Sequence, residues 1–106
     1  MEQSTISKVL KFRDDRDWLK YHNGKDLAIS ISLEANELLE NYQWSAGDVD
    51  RVNKIDGIKE ELADVMIYAI MLADYYGLDL DEIISEKLEK NLKKYPNGKK
   101  IDLSKK

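Results

Sequence analysis

Apolar positions recur at steps of three and four residues through four stretches of the chain, and between them the pattern lapses into polar residues and glycines. This periodicity predicts an all-α fold. The first helix is expected from near Thr5 to about Tyr21, with Ile6, Val9, Leu10 and Arg13 at helical spacing. A bend is expected in the charged run Arg13 to Asp17, and Asn23-Gly24 should end the helix. Asp26 is placed to cap a second helix reaching about Trp44. Ser45 to Asp48 reads as a loop, and Val49 to Gly57 as a polar connector with room for a short helical turn. The third helix should span about Ile58 to Tyr76 and stop at Gly77, which suits the left-handed conformation after a helix end. Asp79 and Glu82 form a capping-box-like pair at the start of the fourth, with Leu78 and Ile83 at the spacing of a hydrophobic staple. Ile84, Leu88, Asn91, Leu92 and Tyr95 continue one face until Pro96 forbids further helix. The domain is thus expected over 1–96, with 97–106 as a basic, flexible tail. No alternating strand pattern or internal repeat competes with this reading.

Two of these helices carry acids where apolar residues are expected. On the second, Leu27, Ile31, Leu38 and Tyr42 form the apolar stripe, and Glu34 falls between Ile31 and Leu38. At about 100° per residue, Ser30, Glu34 and Glu37 share a narrow polar band. On the third, Glu61, Asp64 and Tyr68 share a face bordered by Val65, Leu72 and Met71. Glu34-x-x-Glu37 and Glu61-x-x-Asp64 therefore each aim two carboxylates in one direction. Burying even one unpaired carboxylate costs several kcal/mol after relaxation, and four together also repel one another. Few lysines or arginines lie within these bands. Oxygen-only coordination of Mg²⁺, with Mn²⁺ as a substitute, by Glu34, Glu37, Glu61 and Asp64 is the economical resolution. A helix-bundle di-iron site lacks its Glu-x-x-His elements here.

Composition narrows the setting. The 106 residues are 42% hydrophobic and 36% charged, as in a folded helical domain rather than a disordered chain. A domain this small buries only a modest core alone, so a four-helix bundle completed by association into a homodimer or homotetramer is expected. The net charge of -4, from 17 basic and 21 acidic side chains, argues against a nucleic-acid surface. Cysteine is absent, which excludes disulfides and thiolate chemistry and fits a cytoplasmic protein. The longest apolar run, Val65 to Ala73, is about half of the roughly 18 residues that span a bilayer, so no membrane partner is expected.

Ordered motifs extend the picture. Phe12-Arg13-Asp14-Asp15-Arg16-Asp17-Trp18, Tyr21-His22, Glu34-Ala35-Asn36-Glu37-Leu38 with Gln43-Trp44, Glu60-Glu61-Leu62-Ala63-Asp64-Val65 with Tyr68, and Lys90-Asn91 with Tyr95-Pro96 follow one another along the chain. In that order they resemble the MazG-like all-α nucleotide pyrophosphohydrolases, in particular the small dCTP pyrophosphatase branch. The resemblance covers roughly Phe12 to Pro96. It implies hydrolysis of a nucleoside triphosphate between the α and β phosphates, with Glu34, Glu37, Glu61 and Asp64 holding Mg²⁺ and one of them, such as Glu37, orienting the water. It also implies phosphate contacts from Lys87, Asn91 and Lys94 at a subunit boundary, and a base or sugar pocket using Trp18, His22, Trp44 and Tyr68. The role implied is removal of dCTP-like or noncanonical nucleotides. The alternatives are a related enzyme acting on dUTP or phosphoribosyl-ATP, and a non-catalytic helical module that senses nucleotides.

Overall fold

The computed structural model describes residues 1–96, and these form four α-helices: α1 (Gln3–Asp15), α2 (Gly24–Glu40), α3 (Ile55–Tyr75) and α4 (Leu80–Lys94). Short 3₁₀ turns at Leu19–Tyr21 and Val52–Lys54 lie in the two long connections. No strand occurs among the described residues. The tail expected over 97–106 lies outside them.

α3 is the central element. α2 packs along one side of it as an antiparallel hairpin, and α1 packs on another. The core at this junction is small: Leu27 of α2 and Ile70, Met71 and Ala73 of α3 are the buried apolar residues. Close approach of α2 and α3 is helped by Gly57, because Asn41 Oδ1 lies 2.6 Å from where a β-carbon would stand. The connector between these helices is organised by Arg51, whose Nε donates to the Asn41 carbonyl at 2.9 Å while its backbone N–H donates to Asp48 Oδ1.

Helix boundaries differ from the sequence expectation at three places, each for a local reason. α1 stops at Asp15 rather than near Tyr21. Asp17 turns left-handed at φ 56, the Trp18 N–H returns to the Arg13 carbonyl at 3.1 Å, and the Asp17 N–H to the Asp14 carbonyl at 3.0 Å. This is a Schellman turn with Asp in the position usually held by Gly, and Phe12 and Trp18 supply its apolar contact. α2 is capped by Asn23, not Asp26. Asn23 has extended backbone and its Oδ1 accepts the Asp26 N–H at 2.8 Å, while Asp26 Oδ2 accepts from Asn23 Nδ2. Asn23-Gly24 therefore starts a helix instead of ending one. α2 ends at Glu40, ahead of Trp44, which itself takes a left-handed φ of 63.

Two expected punctuation marks stand as read. Gly77 is left-handed at φ 68 and closes α3 in a second Schellman turn, with the Leu78 N–H on the Ala73 carbonyl at 2.8 Å. Asp79 caps α4, its Oδ1 accepting the Glu82 N–H at 3.0 Å. α4 then departs: none of its residues is buried. Ile84, Leu88 and Leu92, one helical turn apart, are 47%, 56% and 61% exposed.

Candidate functional site

Antiparallel pairing of α2 and α3 brings the two acidic bands together. Carboxylate oxygens of Glu34, Glu61 and Asp64 lie within 4.8 Å of one another, and all three residues are half-buried. Glu37 is exposed, one turn further along α2, with its carboxylate within reach of both Glu34 and Glu61. The periodicity of two separate sequence segments thus converges on one cluster of four acids.

The electrostatics of the cluster are unfavourable within the protein itself. Hydrogen bonding shared with Glu37, then burial, then the negative charges of Glu37, Asp64 and Glu34 push the Glu61 carboxyl up to about 7. Burial, followed by hydrogen bonding with Glu37, pushes the Glu34 carboxyl up as well. Such a bond exists only while one carboxyl of the pair is protonated; with the acids ionised, Glu34 Oε2 and Glu61 Oε2 are shut off from solvent and accept no hydrogen bond. Among the described residues, no lysine or arginine forms an ion pair with these acids. Buried acceptors normally find a donor, and a group of carboxylate oxygens this close could hold a metal ion. A hard, all-oxygen donor set fits Mg²⁺ or Mn²⁺.

Beside the acids lies an aromatic wall. Trp18 and Tyr68 line two adjacent cavities. One, of about 400 Å³, is bounded also by Lys8, Val9, Phe12, Asp64 and Met71. The other, of about 300 Å³, is bounded by His22, Asp26, Leu27 and Ser30. Asp64 thus belongs to both the acidic cluster and the larger, mainly apolar cavity. Phe12 and Trp18 meet edge to face with ring centroids 5.4 Å apart, a favoured aromatic geometry. Burial, followed by the nearby Arg13 guanidinium, lowers the pKa of His22, so its ring is neutral at physiological pH. Its Nδ1 is buried without a partner.

The structure brings together Glu34, Glu37, Glu61, Asp64, Trp18, Tyr68 and His22. It does not bring the other four expected residues to them. Trp44 is 92% exposed and lines neither cavity at the aromatic wall. Lys87 and Lys94 are exposed and Asn91 half-buried on α4, and none of them lines those cavities.

Arg13 and Phe12 were not singled out as site residues by the sequence. Arg13 is buried, 5% exposed, and its backbone carbonyl accepts the Trp18 N–H. Its position three residues after Leu10 places it on the inward stripe of α1, and that spacing was the available signal.

A sequence model of the MazG-like family matches residues 29–106. The dCTP pyrophosphatase 1 of Rattus norvegicus is 30% identical in a match 92 residues long, with 81% of this chain and 54% of that protein covered. Its Homo sapiens counterpart is 30% identical over 91 residues with the same coverage. The chain therefore spans about half the length of the curated relatives it matches. The crystal structure of a pyrophosphatase from Archaeoglobus fulgidus DSM 4304 superimposes with a TM-score of 0.81 at 40% identity, covering 90% of this chain and 92% of that one.

Proposed function

The chain belongs to the MazG-like family, and on that premise we propose that it is a divalent-cation-dependent nucleoside triphosphate pyrophosphohydrolase. The observation that carries this reading is the convergence of Glu34, Glu61 and Asp64 with two buried, unpartnered carboxylate oxygens among them. Such a cluster is stable with cations bound and strained without them. The likeness to dCTP pyrophosphatases and to a solved pyrophosphatase supports the substrate class. dCTP or a modified dCTP is the first substrate to test, with dUTP and phosphoribosyl-ATP as competitors, and clearance of surplus or noncanonical nucleotides is the role assigned.

Glu34, Glu37, Glu61 and Asp64 are assigned to hold the metal. Bound Mg²⁺ or Mn²⁺ would neutralise phosphate charge and acidify a coordinated water. Glu37, at the exposed edge of the cluster, orients the attacking water and accepts its proton. The water oxygen bonds to the α phosphorus, the bridging bond to the β phosphate breaks, and pyrophosphate leaves. Trp18 and Tyr68 hold the base or sugar in the cavity beside Asp64, which places the α phosphate near the acids. Neutral His22 offers a hydrogen-bonding edge in the adjoining cavity.

Lys87, Asn91, Lys94 and Trp44 are assigned to substrate contacts made through association with a second copy. The exposed stripe of Ile84, Leu88 and Leu92 supports this. A homodimer, or a tetramer built from dimers, would cover that stripe and supply the cations.

Hydrolysis in ¹⁸O-labelled water tests the cleavage position. The label should appear in the nucleoside monophosphate and not in pyrophosphate. Label in orthophosphate or pyrophosphate would contradict attack at the α phosphorus.

A further inference from the structure

The ends of α1 and α3 are built alike and are tied to each other. Each closes in a Schellman turn, with Asp17 left-handed at the first and Gly77 at the second. Arg13 Nη1 of the first turn donates to Asp74 Oδ2 of the second at 2.6 Å, and Arg13 Nε donates to Asp14 Oδ1 at 2.9 Å. The Arg13 side chain is only 6% exposed. Its backbone carbonyl meanwhile accepts the Trp18 N–H at 3.1 Å. One residue therefore grips α3 with its guanidinium and fixes Trp18 with its peptide oxygen. The aromatic side of the same turn is fixed too, with the Arg16 guanidinium 3.6 Å from the Phe12 ring centroid and Phe12 edge-on to Trp18.

α3 carries Asp64, Tyr68 and Asp74 in succession. Anchoring the Trp18 turn to Asp74 thus refers the aromatic wall to the helix that presents the acids. We infer that Arg13, through its ion pair with Asp74, is a positioning residue that sets the distance between Trp18 and the Asp64 edge of the cavity, and so the binding of the nucleoside. The inference rests on the nucleotide reading above. Neither Arg13 nor Asp74 belongs to the acidic cluster. Breaking the pair leaves the carboxylates in place and loosens the wall, so binding suffers more than turnover. Small displacements of positioning groups change rates and affinities by about ten- to a hundredfold.

The test uses Arg13→Met, which keeps the buried apolar stem, together with Asp74→Asn and Asp74→Glu. Each variant is assayed for pyrophosphate release, and each is also made in a Trp44→Phe background in which Trp18 is the remaining tryptophan. Arg13→Met and Asp74→Asn should raise KM about tenfold, with kcat within about twofold. Acrylamide quenching of Trp18 should rise about twofold in the same two variants. Asp74→Glu, which retains the carboxylate, should restore both readouts. Unchanged Trp18 quenching in Arg13→Met and Asp74→Asn overturns the positioning role, as does a fall in kcat at constant KM or equal behaviour of Asp74→Asn and Asp74→Glu. The quenching arm needs no turnover. Absence of pyrophosphate release by the unsubstituted protein would instead overturn the functional reading and leave the positioning claim to be decided by quenching.

Discussion

Glu34 and Glu61 face each other across the seam between α2 and α3, each with a carboxylate oxygen closed to solvent and without a hydrogen-bond partner. Their carboxyl pKa values are raised, that of Glu61 to about 7 from 4.5. A carboxyl raised on folding binds more protons in the native than in the unfolded state between those two values. Its contribution to stability is therefore fully present below about pH 4.5 and is lost as pH rises through about 7. In EDTA, this pair should make the melting temperature fall between pH 5 and pH 8. Mg²⁺ should reverse the trend, because it binds the deprotonated cluster and its stabilisation grows with pH. Thermal denaturation at both pH values, with and without Mg²⁺, checks this; a metal-free protein more stable at pH 8 than at pH 5 would speak against it.

Glu61→Gln separates folding from function. Removing that charge should flatten the metal-free pH dependence while lowering pyrophosphate release by more than about 100-fold, beyond what changes outside a metal's own ligands cost. Glu37→Gln and Asp64→Asn should also abolish release. A variant of any of the three that keeps most of its activity would remove that residue from the proposed set.

Two glycines give opposite expectations. Gly77 is left-handed with open space around it, so Gly77→Ala should cost about 1 kcal/mol from backbone strain alone. Gly47 has no neighbour within 4 Å of a β-carbon and no positive φ, so Gly47→Ala should be neutral or stabilising by about 0.4 to 1 kcal/mol. Urea unfolding of both variants measures the difference; equal effects would contradict the assigned end of α3.

The α4 stripe yields a prediction about assembly. Leu88→Glu places a charge at the centre of Ile84, Leu88 and Leu92. The protein should sediment as a dimer or tetramer, and the variant as a monomer with reduced pyrophosphate release. A monomeric parent protein with full activity would contradict the proposal that a second copy completes the site.

The acidic cluster was legible because its signal is repeated: two carboxylate pairs at helical spacing, each interrupting an apolar stripe, on helices joined by one connector. Asp79 and Gly77 were legible for a different reason, since caps and left-handed glycines depend on local chemistry. Asn23 was missed because Asn-Gly is equally suited to ending one helix and starting the next, and only packing decides. Arg13 was legible only in part: its spacing after Leu10 placed it on the apolar stripe of α1, but its partner Asp74, distant in sequence, is seen only in the fold. The expectation of a base pocket using both tryptophans did not anticipate that α2 ends at Glu40, which leaves Trp44 in solvent. The exposure of α4 likewise could not be read from its apolar stripe, which specifies a buried face but not the chain that covers it.

The most direct measurement is product analysis of the purified protein with dCTP, dUTP and the other triphosphates, in Mg²⁺ and in EDTA. Pyrophosphate and a nucleoside monophosphate should form in equal amounts with Mg²⁺, with no release in EDTA. Orthophosphate as the sole primary product, or full activity in EDTA, would contradict the proposed function.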